Sequence, residues 1–232
     1  LSLREQQLSK ATEEISATRE ELHLLANFDR LTSLPNRQLF IEQLELLLRV
    51  CARNAKPLAV LFLNLDNFSR INESLGRSAG DSLLQEVGKR LIGCLRSSDI
   101  LSHYVNANAE MNISRFGGDE YAMVLSQLDS IDAAGLVAQR VTDRLIEPMT
   151  IDGHELVVHP SIGIAIAPRN GMDVEGLLRS ASAAMHQARS TGGSNFLFYN
   201  EDMEAADQDD IKLESELRKA IDRNQLSLHY QP

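Results

Sequence analysis

Basic residues are in short supply: 23 lysines and arginines stand against 33 aspartates and glutamates, for a net charge of −10 and a pI near 5.1. A broad phosphate-binding face gathers Lys and Arg on one side, so the balance argues against DNA or RNA as a partner. Cysteine is nearly missing. Cys51 and Cys94 sit in helix-like segments with no CxxC spacing and no histidine beside them, so neither a disulfide framework nor a zinc site is signalled, and a reducing compartment fits. No apolar run approaches the roughly 18 to 20 residues of a membrane span, and the charged N-terminus is not signal-like. The expected location is cytoplasmic, with any membrane tether lying elsewhere in a longer protein, since the chain starts at Leu1 and stops at Pro232. Aromatics are only 5% of the 232 residues against 43% hydrophobics, the make-up of one substantial Leu/Ile/Val/Ala-rich α/β core.

What is present falls into segments. Leu1, Leu8, Ile15 and Leu22 recur at intervals of seven, with Ala11, Thr18 and Leu25 interleaved. That pattern is a short coiled-coil seam or a lone amphipathic helix packing on its own domain. Pro35 is expected to start a helix with Leu39, Phe40, Leu44, Leu47 and Leu48 on its apolar face, and AVLFLNL reads as a buried strand. Gly76 and Gly80 are expected to break the chain before a helix that buries Leu83, Leu84, Val87 and Leu91, with Asp81 near its start. Gly117-Gly118 reads as the two-residue link of a β-hairpin, placing Asp119 and Glu120 at the start of the returning strand. A helix over SIDAAGLVAQRVTDRLIEPM, one bent strand or two short ones in LVVHPSIGIAIAP, a helix over VEGLLRSASAAMHQARSTG and a last strand FLFY complete the series. Helices alternating with strands, at least one pair antiparallel, predict an α/β (α+β) fold with a central mixed sheet flanked by helices. Residues 201–212 read as an acidic linker before a further helix and strand.

Asn64 and Asp66 lie two apart on one strand and face the same way. If that strand runs beside the hairpin, they converge on Asp119 and Glu120. Clustered carboxylates without Cys or His suit a hard ion such as Mg²⁺ (or Mn²⁺), which fills its other sites with water and substrate phosphates. Two adjacent glycines let backbone approach a bulky anion. The same stretch also fits a solvated hairpin turn, with Asn72 a turn former and Asp81 a helix cap.

Taken together, DRLTSLPNR, LFLNLDNFSRINESLGRSAGDSLL, RFGGDEYAMVL, PSIGIAIAP and AAMHQARSTGGSNF resemble, in order and spacing, the successive motifs of the GGDEF family, the diguanylate cyclases. The resemblance covers about residues 27–200 and implies a nucleotide-cyclase-like fold that condenses two GTP molecules into cyclic di-GMP and pyrophosphate as a homodimer. By motif position it implies Asp119 and Glu120 as catalytic and metal-binding groups. Asn64 and the Leu65 backbone would be further metal ligands. Asn72 and Asp81 would take the guanine edge, Gly117 and Gly118 would admit the nucleotide, and Asn67, Phe68 and Arg189 would hold phosphates.

The chain also departs from that pattern. Asn64 stands where the family has a metal-binding Asp, Ser69 replaces a basic residue, Arg77 replaces His, and the late basic pair has become Arg189 and Gly193. Weakened metal binding and slow turnover are expected, or a degenerate GTP-binding domain that regulates a neighbour. Arg96 and Asp99 form the RxxD that in many relatives binds product for inhibition, but residues 100–116 displace it from Gly117. Residues 213–232, within LESELRKAIDRNQLSLHYQP, look like the opening of an EAL phosphodiesterase domain, and residues 1–26 like a signalling helix.

Overall fold

The computed structural model describes residues 18, 22–96, 113–193, 195–203 and 220. The heptad segment, the acidic linker and the EAL-like start fall almost wholly outside them. After a helical turn at 22–27, the elements are α1 (Arg37–Asn54), β1 (Leu58–Leu65), α2 (Phe68–Leu75), α3 (Arg77–Arg96), β2 (Ile113–Gly117), β3 (Glu120–Leu125), α4 (Asp132–Leu145), β4 (Met149–Ile151), β5 (His154–Leu156), β6 (Pro160–Ala167), α5 (Val174–Ser190) and β7 (Phe196–Phe198).

Alternation of side chains along the strands builds the layers. In β1, Ala59, Leu61, Leu63 and Leu65 point to one core with Leu83, Leu84, Val87 and Leu91 of α3 and Val137, Val141 and Leu145 of α4. Leu58, Val60 and Phe62 point to a second core with Phe40, Leu44 and Leu48 of α1 and Leu177, Ala181 and Met185 of α5. A strand buried on both faces has no polar alternation, which is why all eight residues of β1 and of β6 are buried. The sheet order is β2-β3-β1-β6-β7, antiparallel throughout except for the parallel β6–β7 pair. The mixed, helix-flanked sheet is therefore as expected. At Gly163 of β6 a Cβ would lie 1.9 Å from the Ala181 carbonyl oxygen and 2.2 Å from the Met185 nitrogen. That close approach seats α5 directly on the sheet and fixes where its C-terminal end falls.

Four local expectations are corrected. The first helix begins at Arg37, because the Asn36 side chain accepts from the Leu39 N–H and so caps it. Gly80 lies inside α3, its N–H directed to the Gly76 carbonyl. The helix over 130–149 ends at Leu145, and Met149–Ile151 pairs with His154–Leu156 as a separate two-stranded sheet, so LVVHPSIGIAIAP splits between two sheets. The hairpin link is Gly118-Asp119, since Gly117 still pairs with Glu120. A register shift at Phe116 supplies the bulge that turns the strand there.

Candidate functional site

The site lies at the end of the sheet where β1 is flanked on both sides. Asn64 is in register with Glu120 of β3 and with Ser161 of β6, so three polar side chains line up across three strands on the face that carries α1 and α5. Asn64 is only 7% exposed, a burial that demands polar partners. Nearby is the hairpin, where the Asn64 side chain favours the charged form of the Asp119 carboxyl. Burial pushes the Asp119 carboxyl above the ordinary range. Its own backbone N–H, the Asn64 amide and the charges of Arg189 and Arg115 pull the other way without cancelling that rise.

Two residues on, the Asp66 carboxylate accepts from the Ser161 hydroxyl at 2.8 Å. It also lies against the Cα of Gly193, where a Cβ would come within 2.2 Å of Oδ2. Gly193 has φ +69°, so the position opposes a side chain in both conformation and space. Arg189 sits exposed in the last turn of α5, its guanidinium 3.3 Å from His186.

A second group of expected residues gathers on α2 and α3. Asn72 packs its amide onto Gly80, where a Cβ would lie 2.0 Å from Oδ1. That places Asn72 against buried Gly80, and exposed Asp81 is the next residue of α3. Asn67 precedes α2 in a left-handed conformation, φ +60°, and makes no side-chain cap, while its carbonyl accepts the Arg70 N–H at 3.0 Å. The Phe68 side chain packs on the core and can offer a ligand only its backbone. The same holds for Leu65, 1% exposed. Gly117 and Gly118 have positive φ and open space where a Cβ would stand. The structure thus brings Asn64, Asp119 and Glu120 to one end of the sheet, with Arg189 near enough for its charge to act on Asp119, and sets Asn72 against Gly80, the residue before Asp81. The Arg96 side chain and Asp99 lie outside the described residues.

The donor set can be tested against a cation. Among the described residues no three His, Cys, Asp or Glu side chains cluster to hold a metal. Asp119 and Glu120 would supply two carboxylates, and the Asn64 amide and Leu65 carbonyl neutral oxygens. An all-oxygen set with two acids fits Mg²⁺, which keeps several waters or phosphate oxygens in its shell. The fit is one charge weaker than three acids would make it.

Sequence reasoning missed the residues that hold this locus in place. Arg115 donates from Nε and Nη2 to the Gly118 carbonyl at 3.1 and 2.7 Å and from Nη1 to Asp29 at 2.8 Å. Asp29 also accepts from the N–H and hydroxyl of Thr32. Burial opposes ionisation of Asp29, but the hydrogen bonds from Thr32 and Arg115 outweigh it and hold the carboxyl below the ordinary range. No short-range pattern marks a pair so far apart in the chain.

Comparison with known proteins bears on this geometry. A family profile described as "Diguanylate cyclase, GGDEF domain" matches residues 26–195. The cyclic di-GMP phosphodiesterase NbdA of Pseudomonas aeruginosa is 38% identical over 91% of this chain and 25% of its own length. MucR of the same organism, a bifunctional diguanylate cyclase/cyclic di-GMP phosphodiesterase, is 36% identical over 94% of this chain and 30% of its own. The chain thus spans under a third of these relatives. The solved GGDEF domain of TpbB (YfiN) from P. aeruginosa superposes with a TM-score of 0.69 at 32% identity, covering 78% of this chain and 99% of that one. The coiled coil and GGDEF domain of DgcB from Caulobacter crescentus, in complex with c-di-GMP, shares the fold at 18% identity and a TM-score of 0.67, over 85% of this chain and 100% of that one.

Proposed function

Because this chain belongs to the diguanylate cyclase GGDEF domain family of cyclic di-GMP signalling, we propose that it binds GTP and condenses two molecules to cyclic di-GMP and pyrophosphate, slowly or conditionally. The observation that carries the reading is the register of Asn64 with Glu120, the residue that follows Asp119 at the hairpin. That arrangement keeps the two acids and changes the third position to an amide.

In this reading Asp81 accepts from the guanine ring N–H and amino group, and Asn72 completes the edge. Adenine lacks that donor pair and is disfavoured. The turn at Asn67 and Phe68 and the Arg189 guanidinium hold phosphates, and Gly117 and Gly118 leave room for the nucleotide. Asp119 or Glu120 takes the proton of the 3′-hydroxyl as its oxygen bonds the α-phosphorus of the facing GTP and the bond to pyrophosphate breaks. Two such steps, one per GTP, close the ring, so two copies of the domain must face each other. A cation held by Asp119, Glu120, Asn64 and the Leu65 carbonyl supplies charge neutralisation at the triphosphate. The protein's own contribution is positioning. Residues 27–200 form the domain, preceded by a signalling helix and followed by a linker and the start of an EAL-type domain.

A second reading is favoured by Gly193, packed on Asp66 where the family motif has Arg. In that reading the domain holds GTP and regulates an adjacent EAL phosphodiesterase, in keeping with relatives named as phosphodiesterases. Incubation with GTP and Mg²⁺, assayed for cyclic di-GMP, separates the two. Slow product formation that Asn64→Asp accelerates supports the cyclase, whereas GTP binding with no product in either protein leaves the regulatory domain.

A further inference from the structure

We propose that the cleft between α1 and α5, beside the β2–β3 hairpin, is a second base-binding site that takes the guanine ring of a nucleotide. The cleft has a volume of about 530 Å³. Its apolar side is made by Phe62, Phe116 and Leu178, and charged groups from three elements surround it: Arg37 from α1, Glu120 from β3, and Glu175 and Arg179 from α5. Asn72, Asp81 and Arg189 do not line it. The cleft therefore lies apart from the base and phosphate contacts assigned above, and the inference stands independently of them.

Phe116 makes the cleft a platform for a flat ring. Buried Phe40 and Phe62 meet it edge to face, with centroids 5.4 and 5.2 Å away and interplanar angles of 75° and 87°, so its plane is fixed from within. The Arg37 guanidinium carbon stands over that ring, 5.9 Å from its centroid, at the outer reach of a cation–π contact. A base sandwiched between the two needs about 7 Å, twice the ~3.5 Å contact of stacked atoms. Arg37 is exposed, so a lift of about 1 Å is open to it, and bases stack on both aromatic rings and guanidinium planes. The charges then select the base. Glu175 and Arg179 stand one turn apart on a single face of α5; a carboxylate only accepts and a guanidinium only donates. Guanine alone among the common bases offers a two-acceptor edge, N7 and O6, beside a two-donor edge, the ring N–H and amino group, whereas adenine mixes donor and acceptor. Arg179 suits the first edge and Glu175 the second. Two guanidiniums and two carboxylates leave the lining neutral, which favours an uncharged base there over a polyphosphate.

The test is a titration of the whole chain carrying Asp81→Ala, which removes the guanine contact assigned to α3, with GMP, AMP and cyclic di-GMP as probes and backbone amide NMR shifts as the readout. GMP is expected to give saturable shifts at Phe116, Glu120 and Leu178–Ser182, and AMP to bind there about tenfold more weakly or worse. Adding Arg179→Ala, at an exposed position, should weaken GMP by about tenfold or more. Equal binding of AMP, or a GMP affinity untouched by Arg179→Ala, overturns the proposal. Absence of GMP shifts at these residues overturns it too, while leaving the reading at Asn72 and Asp81 standing. Failure of the unsubstituted chain to show GTP shifts at Asn72 and Asp81 overturns that reading and not this one. Cyclic di-GMP binding about tenfold tighter than GMP identifies the two-base product as the source of the ring, and equal or weaker binding identifies a mononucleotide.

Discussion

Arg115 grips Asp29 at 2.8 Å with one edge of its guanidinium and the Gly118 carbonyl with the other. The turn that leads into the domain and the tip of the hairpin that carries Asp119 are thereby joined through one side chain. Arg115 is 9% and Asp29 23% exposed at the side chain, so little water can replace either partner. Removing one member of such a pair leaves the other charge uncompensated, at a cost of about 1–3 kcal/mol at this partial burial. Arg115→Ala is expected to lower unfolding free energy in urea by that amount. It should also speed amide exchange at residues 117–120 more than in the β1 and β6 ladders.

The same pair sets an acid limit. The Asp29 carboxyl titrates below its unfolded value, so its stabilisation is fully present above about pH 4, the unfolded pKa. It is lost as pH falls through the lower folded value. Unfolding free energy measured from pH 6 downward should drop with a component that Asp29→Asn removes. A profile that is the same in both proteins would count against this role.

Gly80→Ala separates stability from recognition. Alanine in a helix interior is ordinarily better than glycine by up to about 1 kcal/mol, yet the new methyl would lie 2.0 Å from Asn72 Oδ1. Asn72 is a flexible side chain and is expected to swing away. The variant should therefore melt no more than slightly below the parent while its preference for GTP over ATP falls by about tenfold, about 1.4 kcal/mol. Paired titrations with the two nucleotides check this.

Gly193→Arg should fail to restore a phosphate contact. Any Cβ there would meet Asp66 Oδ2 at 2.2 Å, and φ is +69°, a region that costs a non-glycine residue about 1–2 kcal/mol. Both Gly193→Arg and Gly193→Ala are expected to lower the melting temperature without tightening nucleotide binding. Tighter binding by the arginine variant alone would show that Asp66 yields readily.

The parts of the fold written in short-range pattern were legible. The run from Leu58 to Leu65, the Leu83–Leu91 helical face and the PSIGIAIA strand all lie where their periodicity places them, because burial on both faces or on one stripe leaves a direct mark on sequence. The hairpin link was misplaced by one residue since two glycines attract the turn, whereas Gly117 stays in the ladder after the bulge at Phe116. The β4–β5 pair went unseen because three-residue strands carry too little alternation to register. Within the candidate site, Asn64, Asp119 and Glu120 were proposed from local motifs. Asp29, Ser161 and the Asp66–Gly193 contact were not, since each depends on packing between segments far apart in the chain.

The segment around Pro35 does more than lead into α1. Its carbonyl accepts both the Arg115 N–H at 3.0 Å and the Ser114 hydroxyl at 2.6 Å, and Asn36 forms a parallel bridge with Arg115. β2 is the outermost strand on that side of the sheet, and an uncovered rim of this kind is a template on which another chain's strand can add. The domain's own leading turn takes up part of that rim at Arg115, so a strand from another copy finds fewer free backbone groups there.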